Sequence, residues 1–513
     1  MVGQLRSMLN YKLCKPCISL VSQTKKSLSL FIKCPLWELS FAYSSAQIPT
    51  KTKNSECKSY HSSREQKYLF LFKKCSTTRE IEQVHAQIIQ AGLTHSLYLL
   101  GKIIAFCAIS EQGSMDYAVS VFEHAESSDG FLWNTMIRGF VRTGEVERAI
   151  EYYKRMLENG VMADNFTFSF LLKLCGQSGS YVLGKQLHSS VVKSGQQSHV
   201  FVLNTLIHMY GMLKDVEVAD QLFEEIPQPG LVAWNTIIDC HMSCGEHAKA
   251  LHLFERMQKC GVGFDEATLV VTLSACAEMG ALDYGRWLHF LVDNSSLSRT
   301  LQVCNSLIDM YAKCGEVEEA YRVFNKMNVR NLVTWNTMIL GYAIHGNGDE
   351  ALKLFSRMLN EKQCFPNDVT FLGALCACSH GGMVEEGKRY FHIMIHDFHI
   401  EPTLKHYGCM VDVLARAGFI QEAYDLITSM PGRCNAVIWR TLLGACRVHG
   451  KVELAEQIRS HLQQDHSSDY VLLSNVYASA GLWNNFIEAR KSMRDRGVQK
   501  PVPGNSLIKF TQE

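Results

Sequence analysis

Residues 332–355 read LVTWNTMILGYAIHGNGDEALKLF, and two near copies of this stretch stand elsewhere in the chain. One copy starts at Leu231 and reads LVAWNTIIDCHMSCGEHAKALHLF; the other starts at Gly130 and reads GFLWNTMIRGFVRTGEVERAIEYY. In residues 332–355, apolar side chains twice follow the i, i+3, i+4, i+7 spacing of a helix face, once before and once after Gly346–Gly348. The stretch therefore predicts two amphipathic helices joined by a tight turn.

The copies belong to a longer internal repeat. Their tryptophans, Trp133, Trp234 and Trp335, are each 101 residues apart, and this spacing divides into units of 35, 35 and 31 residues. The units run 130–164, 165–199, 200–230, 231–265, 266–300 and 301–331, followed by 332–367, 368–403 and 404–435. A single helix pair cannot bury its apolar face, whereas stacked pairs share a continuous core. We therefore expect an all-α fold, an α-solenoid of stacked helix pairs, with degenerate units in residues 65–129.

Charge is distributed unevenly along the 513 residues. Residues 1–64 contain ten Lys/Arg and two acidic residues and are rich in serine, which leaves 41 basic and 48 acidic residues in the rest of the chain. A basic, serine-rich and acid-poor leader is typical of an organelle transit peptide. A possible apolar helix face near its start favours the mitochondrion and its serine content favours the chloroplast; a disordered leader without an address is the alternative. No run of about 20 apolar residues predicts a membrane span.

Two stretches resemble a known family. Asn305–Met327, NSLIDMYAKCGEVEEAYRVFNKM, closely resembles the S-type unit of plant pentatricopeptide repeat (PPR) proteins, and residues 171–195, LLKLCGQSGSYVLGKQLHSSVVKSG, resemble their L-type unit. The alternation of 35, 35 and 31 residues resembles the P-L-S order of plant organelle RNA-editing factors. Residues 436–513 resemble the family's E-type C-terminal domain, without the DYW deaminase domain that follows it in many relatives.

The resemblance implies a right-handed α-solenoid and a function. It implies a protein that binds single-stranded organelle RNA and directs C-to-U editing, with the deaminase supplied in trans by a partner. The family's base-selecting residues are the fifth and the last of each unit, and one unit reads one base. They correspond here to Asn134 with Asp164, Ser169 with His199, Asn204 with Gly230, Asn235 with Asp265, Asn305 with Asn331 and Asn336 with Asn367, and to Asn435, whose fifth-place partner is Gly408.

An Asn amide offers a donor and an acceptor, which suits the mixed edge of a pyrimidine. By family analogy, Asn with Asp favours uracil and Asn with Asn favours cytosine or uracil, whereas Val270 and Leu372 cannot select a base through hydrogen bonds. From residue 130 onward, 5′ to 3′, the units predict U, unclear, pyrimidine, U, open, C/U, C/U, open and open.

Three alternatives stay open at this stage. Asn134, Asn235 and Asn336 could cap the starts of helices, a role in which Asn is favoured. The chain could be an RNA stability or splicing factor that never recruits a deaminase. It could also be a scaffold that binds proteins on its concave face.

Catalytic motifs are incomplete. A zinc deaminase needs H-x-E followed by P-C-x-x-C, and neither His124–Glu126 nor His399–Glu401 is followed by a CxxC. The one CxxC, Cys14–Cys17, has no second pair to complete a zinc site, and we interpret most of the 19 cysteines as reduced core residues. We therefore expect no catalytic residue, metal or cofactor, no small-molecule substrate and no membrane partner.

Overall fold

The computed structural model describes residues 63–361, 364–432, 434–462 and 466–498. The expected leader, apart from Ser63 and Arg64, and the Cys14–Cys17 motif lie outside these residues. Every regular element within the described ranges is helical, which confirms the expected all-α class. None of the helices described is both long enough and apolar enough to cross a bilayer.

The helices fall into two compact bodies, one within Cys34–Met279 and one within Gly280–Glu513. The first contains α1 (Ser63–Phe72), α2 (Thr78–Gln90), α3 (Leu97–Ile109), α4 (Met115–Glu123), α5 (Gly130–Thr143), α6 (Val146–Glu158), α7 (Asn165–Ser178), α8 (Tyr181–Lys193), α9 (Val200–Met212), α10 (Val216–Glu224), α11 (Leu231–Ser243), α12 (His247–Lys259) and α13 (Glu266–Met279). The second contains α14 (Leu282–Asp293), α15 (Leu301–Lys313), α16 (Val317–Lys326), α17 (Leu332–Ile344), α18 (Gly348–Glu361), α19 (Asp368–Gly381), α20 (Val384–His396), α21 (Leu404–Arg416), α22 (Ile420–Thr428), α23 (Ala436–Val448), α24 (Val452–Arg459), α25 (Ser467–Ser479) and α26 (Trp483–Asp495).

Each repeat unit forms one helix pair, and we call its first helix the A helix and its second the B helix. The turn between them contains a glycine at the same place in each P-type unit: Gly144, Gly245 and Gly346 have φ of 77°, 82° and 78°. This left-handed conformation strains a residue with a Cβ, so glycine ends the A helix there. The turn that residues 332–355 predict lies between α17 and α18.

The recurring tryptophan joins one unit to the preceding one. Trp234 is 1% exposed, and its ring meets that of Phe223, from the preceding B helix, edge to face at 4.8 Å. Arg256 of α12 covers the indole at 5.5 Å from the ring centroid and also pairs with Glu224. Stacking of an arginine on an indole and edge-to-face aromatic contacts both stabilise a buried cluster.

The same cluster recurs at the other two tryptophans. Trp133 meets Phe122 at 4.7 Å and Trp335 meets Phe324 at 5.0 Å, while Arg155 and Arg357 cover the two indoles at 5.8 Å and 5.5 Å. The 101-residue period of the tryptophan therefore reflects one packing contact, used once per group of three units.

Within each body the A helices form a continuous layer. In the first body α5, α7, α9, α11 and α13 pack in that order, and in the second α15, α17, α19, α21, α23 and α25 do so. Each B helix packs on the A helix of its own unit, on the side away from this row. The stacking of helix pairs that defines an α-solenoid is thus present in both bodies, and it places the fifth residues of successive units along the row of A helices.

Candidate nucleic-acid interface

The fifth residue of each unit lies within the A helix and does not cap it. The residue before α5 is Asp129, whose side chain accepts from the Leu132 amide, whereas Asn134 lies in the second turn. Asn235 and Asn336 stand at the same place in α11 and α17. The alternative that these three asparagines are N-caps is therefore wrong.

The capping role belongs to the last residue of the preceding unit. Asp164 accepts from the backbone amide of Thr167 at 2.9 Å at the start of α7, and Asn331, Asn367 and Asn435 accept in the same way at the starts of α17, α19 and α23. A side-chain oxygen at this place satisfies one of the free N–H groups of the first turn.

A hydrogen-bonded triad joins the fifth and last residues of unit 130–164 to the following unit. Asn134 Nδ2 donates to both oxygens of Asp164, at 3.0 and 3.1 Å. The Thr167 hydroxyl donates to Asn134 Oδ1 at 2.6 Å and accepts from the Asp164 backbone amide at 3.1 Å. The triad therefore consists of the fifth residue, the last residue and the third residue of the next unit, and we call this arrangement an amide triad.

Three further units form the same amide triad. The fifth-place Nδ2 donates to the last-place Oδ1 in the pairs Asn235–Asp265 at 3.1 Å, Asn305–Asn331 at 3.5 Å and Asn336–Asn367 at 3.1 Å. The third-place hydroxyl donates to the fifth-place Oδ1 in the pairs Thr268–Asn235 at 2.7 Å, Thr334–Asn305 at 2.7 Å and Thr370–Asn336 at 2.6 Å. Asp and Asn thus hold the fifth-place amide in the same way.

Unit 200–230 departs from this arrangement. Its fifth residue, Asn204, is 7% exposed, its last residue is Gly230, and the third residue of the next unit is Ala233. Both partners of the amide are therefore missing, and Asn204 Oδ1 is buried without a hydrogen-bond partner in the structure. Such an oxygen costs free energy unless a donor reaches it.

The structure does not join the remaining residues that the resemblance assigned. Ser169 is 1% exposed, and its hydroxyl donates back to the Asn165 carbonyl of its own helix at 2.7 Å. His199 is exposed at the start of α9, where its side chain makes no capping bond. Asn435 caps α23, but the fifth residue of its unit is Gly408, which has no side chain to hold.

The triad amides lie at the edge of the solvent-exposed stripe of the A helices. Asn134, Asn235 and Asn336 are 8%, 4% and 8% exposed. One turn earlier on the same helix face, Phe131 is 61% exposed and Val232 is 53% exposed. A ligand can therefore reach the amides only edge-on, between apolar side chains that stand out from the helix surface.

Two sets of residues at this face were not singled out from the sequence. The second-place residues, such as Phe131 and Val232, are apolar where the helix pattern predicts solvent, which is the signal that could have revealed them. The third-place threonines Thr167, Thr268, Thr334 and Thr370 recur in the aligned units, but their contact joins two units and so does not follow from one helix alone.

Burial keeps two titratable groups of this row largely uncharged. The pKa of His208, one turn beyond Asn204, is lowered to about 4 by burial, and the positive charge of Lys173 acts in the same direction. The pKa of Asp239, one turn beyond Asn235, is raised by burial, and Lys214 opposes that shift. Both shifts favour the neutral forms, so this face does not rely on these groups for charge.

Metal ligands do not cluster in the described part of the chain, where no group of three or more His, Cys, Asp or Glu side chains could hold an ion. The described cysteines are free, and Cys175, Cys276, Cys378 and Cys446 are buried as core residues. Burial raises the pKa of the Cys175 thiol to about 11, which keeps it protonated and unreactive.

Three comparisons place the chain among known proteins. The PPR repeat family model matches residues 129–177, 229–278 and 330–380, a second PPR repeat model matches 201–231, 303–332 and 405–434, and an E motif model matches 449–509. A chloroplastic/mitochondrial pentatricopeptide repeat-containing protein of Arabidopsis thaliana is 40% identical over 87% of this chain and 72% of its own length. A chloroplastic one from the same plant is 38% identical over 91% of this chain and 78% of its own length.

The fold is similar to that of a solved structure. The crystal structure of the pentatricopeptide repeat protein PPR10 from maize superposes with a TM-score of 0.60 at 15% identity, covering 82% of this chain and 61% of that one. Repeat models, relatives and fold agree, and the chain belongs to the pentatricopeptide repeat family, as a plant protein of P, L and S units in the E class.

Proposed function

We propose that the chain binds single-stranded organelle RNA at a defined sequence and serves as the site-recognition factor for C-to-U editing, recruiting a deaminase-bearing protein in trans. One observation carries the proposal: four amide triads present the same polar group from equivalent places in successive helix pairs. A repeated group that reads one base per helical unit is the physical basis of a modular RNA code. The chloroplastic and mitochondrial relatives support an organelle as the compartment.

The triad leaves hydrogen-bonding capacity for a base. An amide nitrogen carries two hydrogens, and one of them can serve both carboxylate oxygens of Asp164, which leaves the other N–H for a pyrimidine carbonyl. The carboxylate also retains lone pairs that can accept the N3–H of uracil. Where the last residue is Asn331 or Asn367, its Oδ1 is used by the cap, and its NH₂ can donate to N3 of cytosine.

The exposed second-place side chains supply surfaces for the base faces. Phe131 and Val232 stand one turn before Asn134 and Asn235, so a base directed at an amide edge lies beside an apolar side chain. Stacking or apolar contact of this kind contributes about 1–3 kcal/mol per base with an aromatic partner and does not depend on base identity. Affinity and selectivity would then come from different residues of the same unit.

Recruitment of a deaminase rests on the E motif at residues 449–509. No complete H-x-E and P-C-x-x-C set stands in the sequence, so the editing chemistry is assigned to a partner. The E motif distinguishes this proposal from that of an RNA stability or splicing factor, which needs only the repeats.

Selection from a randomised RNA pool tests RNA recognition. The full-length chain should enrich a pyrimidine-biased motif with uracil at the places read by units 130–164 and 231–265, three nucleotides apart. The variant N134A/N235A should enrich RNAs without preference at those two places. Absence of any enriched motif with the wild-type chain would contradict sequence-specific binding and favour the protein-binding scaffold.

Sequencing of organelle transcripts in plants that lack the protein tests the editing role. We expect one or a few cytidines, preceded by the selected motif, to remain unedited, and we expect editing to return on complementation with the wild-type gene. Complete editing at every site, together with altered transcript ends or unspliced introns, would assign the protein to RNA stability or splicing instead.

A further inference from the structure

We propose that the third-place threonine of the following unit is a positioning residue for base selection, and that its absence beside Asn204 makes unit 200–230 a weak selector. The inference rests on the proposed function and deepens it, since it assigns a role in specificity to residues outside the fifth and last places. It is carried by the contrast between four complete triads and one amide that has lost both partners.

Proton accounting shows what the threonine does in the triad of unit 231–265. The Thr268 hydroxyl accepts from the Asp265 backbone amide at 3.2 Å, so its single proton is directed to an oxygen. The nearest oxygens are Asn235 Oδ1 at 2.7 Å and Asp265 Oδ1 at 2.8 Å. A hydroxyl shared in this way holds the carbonyl side of the amide, while Asp265 holds its nitrogen side.

Holding both sides fixes which edge the base meets. With Oδ1 directed to the threonine and one N–H to the last residue, the amide presents its second N–H outward, and a 180° rotation would place Oδ1 against the carboxylate. Since a base is selected by the match of donors to acceptors, an amide fixed in one orientation discriminates better than one that can exchange its two ends.

Asn204 shows the arrangement without this restraint. Its Oδ1 is buried without a partner because Ala233 has no hydroxyl, and Gly230 offers nothing to its nitrogen. No protein group near it therefore favours one amide orientation through these two contacts. We infer that the Asn204 amide accepts from a base amine or donates to a base carbonyl with similar ease, and so tolerates several bases.

The backbone at this site can take the missing partners. Gly230 has φ −79° and ψ 175°, an extended conformation open to any residue, and a Cβ added to it would meet no atom within 4 Å. Ala233 is 1% exposed at the place where Thr334, which is fully buried, stands in the next P-type unit. Aspartate at 230 and threonine at 233 would thus reproduce the other triads.

The loss-of-function arm uses binding of the full-length chain to RNAs that differ only at the nucleotide read by unit 231–265. The variant T268A should reduce the preference for uracil over cytosine about fivefold, the equivalent of one hydrogen bond, while T268S should retain it. The control is T272A in the same helix: Thr272 is fully buried, and its hydroxyl donates only to carbonyls of α13. T272A should leave the preference unchanged.

The gain-of-function arm uses the unit that lacks the triad. The double variant G230D/A233T should acquire a preference for uracil of about fivefold or more at the nucleotide read by unit 200–230, where the wild type discriminates weakly. Preferences at the neighbouring nucleotides should not change. A thermal melt of each variant checks that the fold is retained.

The outcomes separate this inference from the proposed function. If N235A abolishes selectivity at one nucleotide while T268A behaves as T272A does, and G230D/A233T gains nothing, the threonine inference is overturned and RNA recognition stands. If N235A also changes no preference, the base-reading role of the fifth residue fails, and the positioning role fails with it.

Discussion

Asn235 donates a hydrogen bond of 3.1 Å to Asp265, although the two residues are separated by 30 positions along the chain. The contact closes one repeat unit, because Asn235 lies in the A helix and Asp265 is the last residue before the next A helix. The same bond recurs in three other units with Asp or Asn as the acceptor. The fold therefore holds the fifth and last residues together before any RNA is bound.

The tryptophan cluster should be a major source of stability. Replacement of Trp234 by alanine removes a side chain that is 1% exposed, together with its contacts to Phe223 and Arg256, and should destabilise the first body by about 3–5 kcal/mol. Urea denaturation followed by circular dichroism measures the loss. The matched control is W483A, at a residue 60% exposed, which should change stability by less than about 0.5 kcal/mol. Equal effects of the two variants would contradict the assigned packing.

Acid should destabilise the protein through buried histidines. Burial lowers the pKa of His208 to about 4, so between pH 6.5 and 4 the unfolded chain binds more protons at this residue than the folded chain does. The stability contributed by neutral His208 is present above pH 6.5 and is lost as the pH falls towards 4, with a loss of about 2 kcal/mol at pH 5. Five other histidines shift in the same direction: His85, His188, His289, His380 and His406.

Urea midpoints at pH 7 and pH 5 test the histidine prediction. The wild type should lose stability between these values, and the H208Q variant should lose about 2 kcal/mol less, because glutamine does not titrate. An identical pH dependence in the two proteins would show that His208 is not held neutral by the fold.

RNA binding should depend weakly on salt. The chain after residue 64 has 41 basic and 48 acidic residues, and His208 and Asp239 are shifted towards neutrality in the row of A helices. Neutralising nine phosphates would give a slope of log K against log salt of about −6, and we expect a slope of only about −2 to −3. Titrations at several salt concentrations measure it, and a slope near −6 would contradict binding dominated by base contacts.

The repeated helix pair followed from the sequence because apolar spacing and a turn glycine are local signals. The partners of Trp234 did not follow, since Phe223 and Arg256 belong to other helices and no periodicity joins them to the indole. In the same way the last-place residues were identified through family resemblance, but their second role as caps and the third-place hydroxyl became visible only in three dimensions. The N-cap interpretation of Asn235 failed because the helix starts at Leu231, before it.

The most direct test of base reading exchanges Asp265 for asparagine in the full-length chain and measures binding to RNAs that vary at one nucleotide. Asn331 and Asn367 already hold their caps and fifth-place amides, so D265N should fold normally. Its amide can donate to N3 of cytosine where the carboxylate accepted the N3–H of uracil, and the preference for uracil over cytosine should fall at least about fivefold at that nucleotide only. The control D283N, at a fully exposed carboxylate, should change nothing. An unchanged preference in D265N, or an equal change at every nucleotide, would contradict the account.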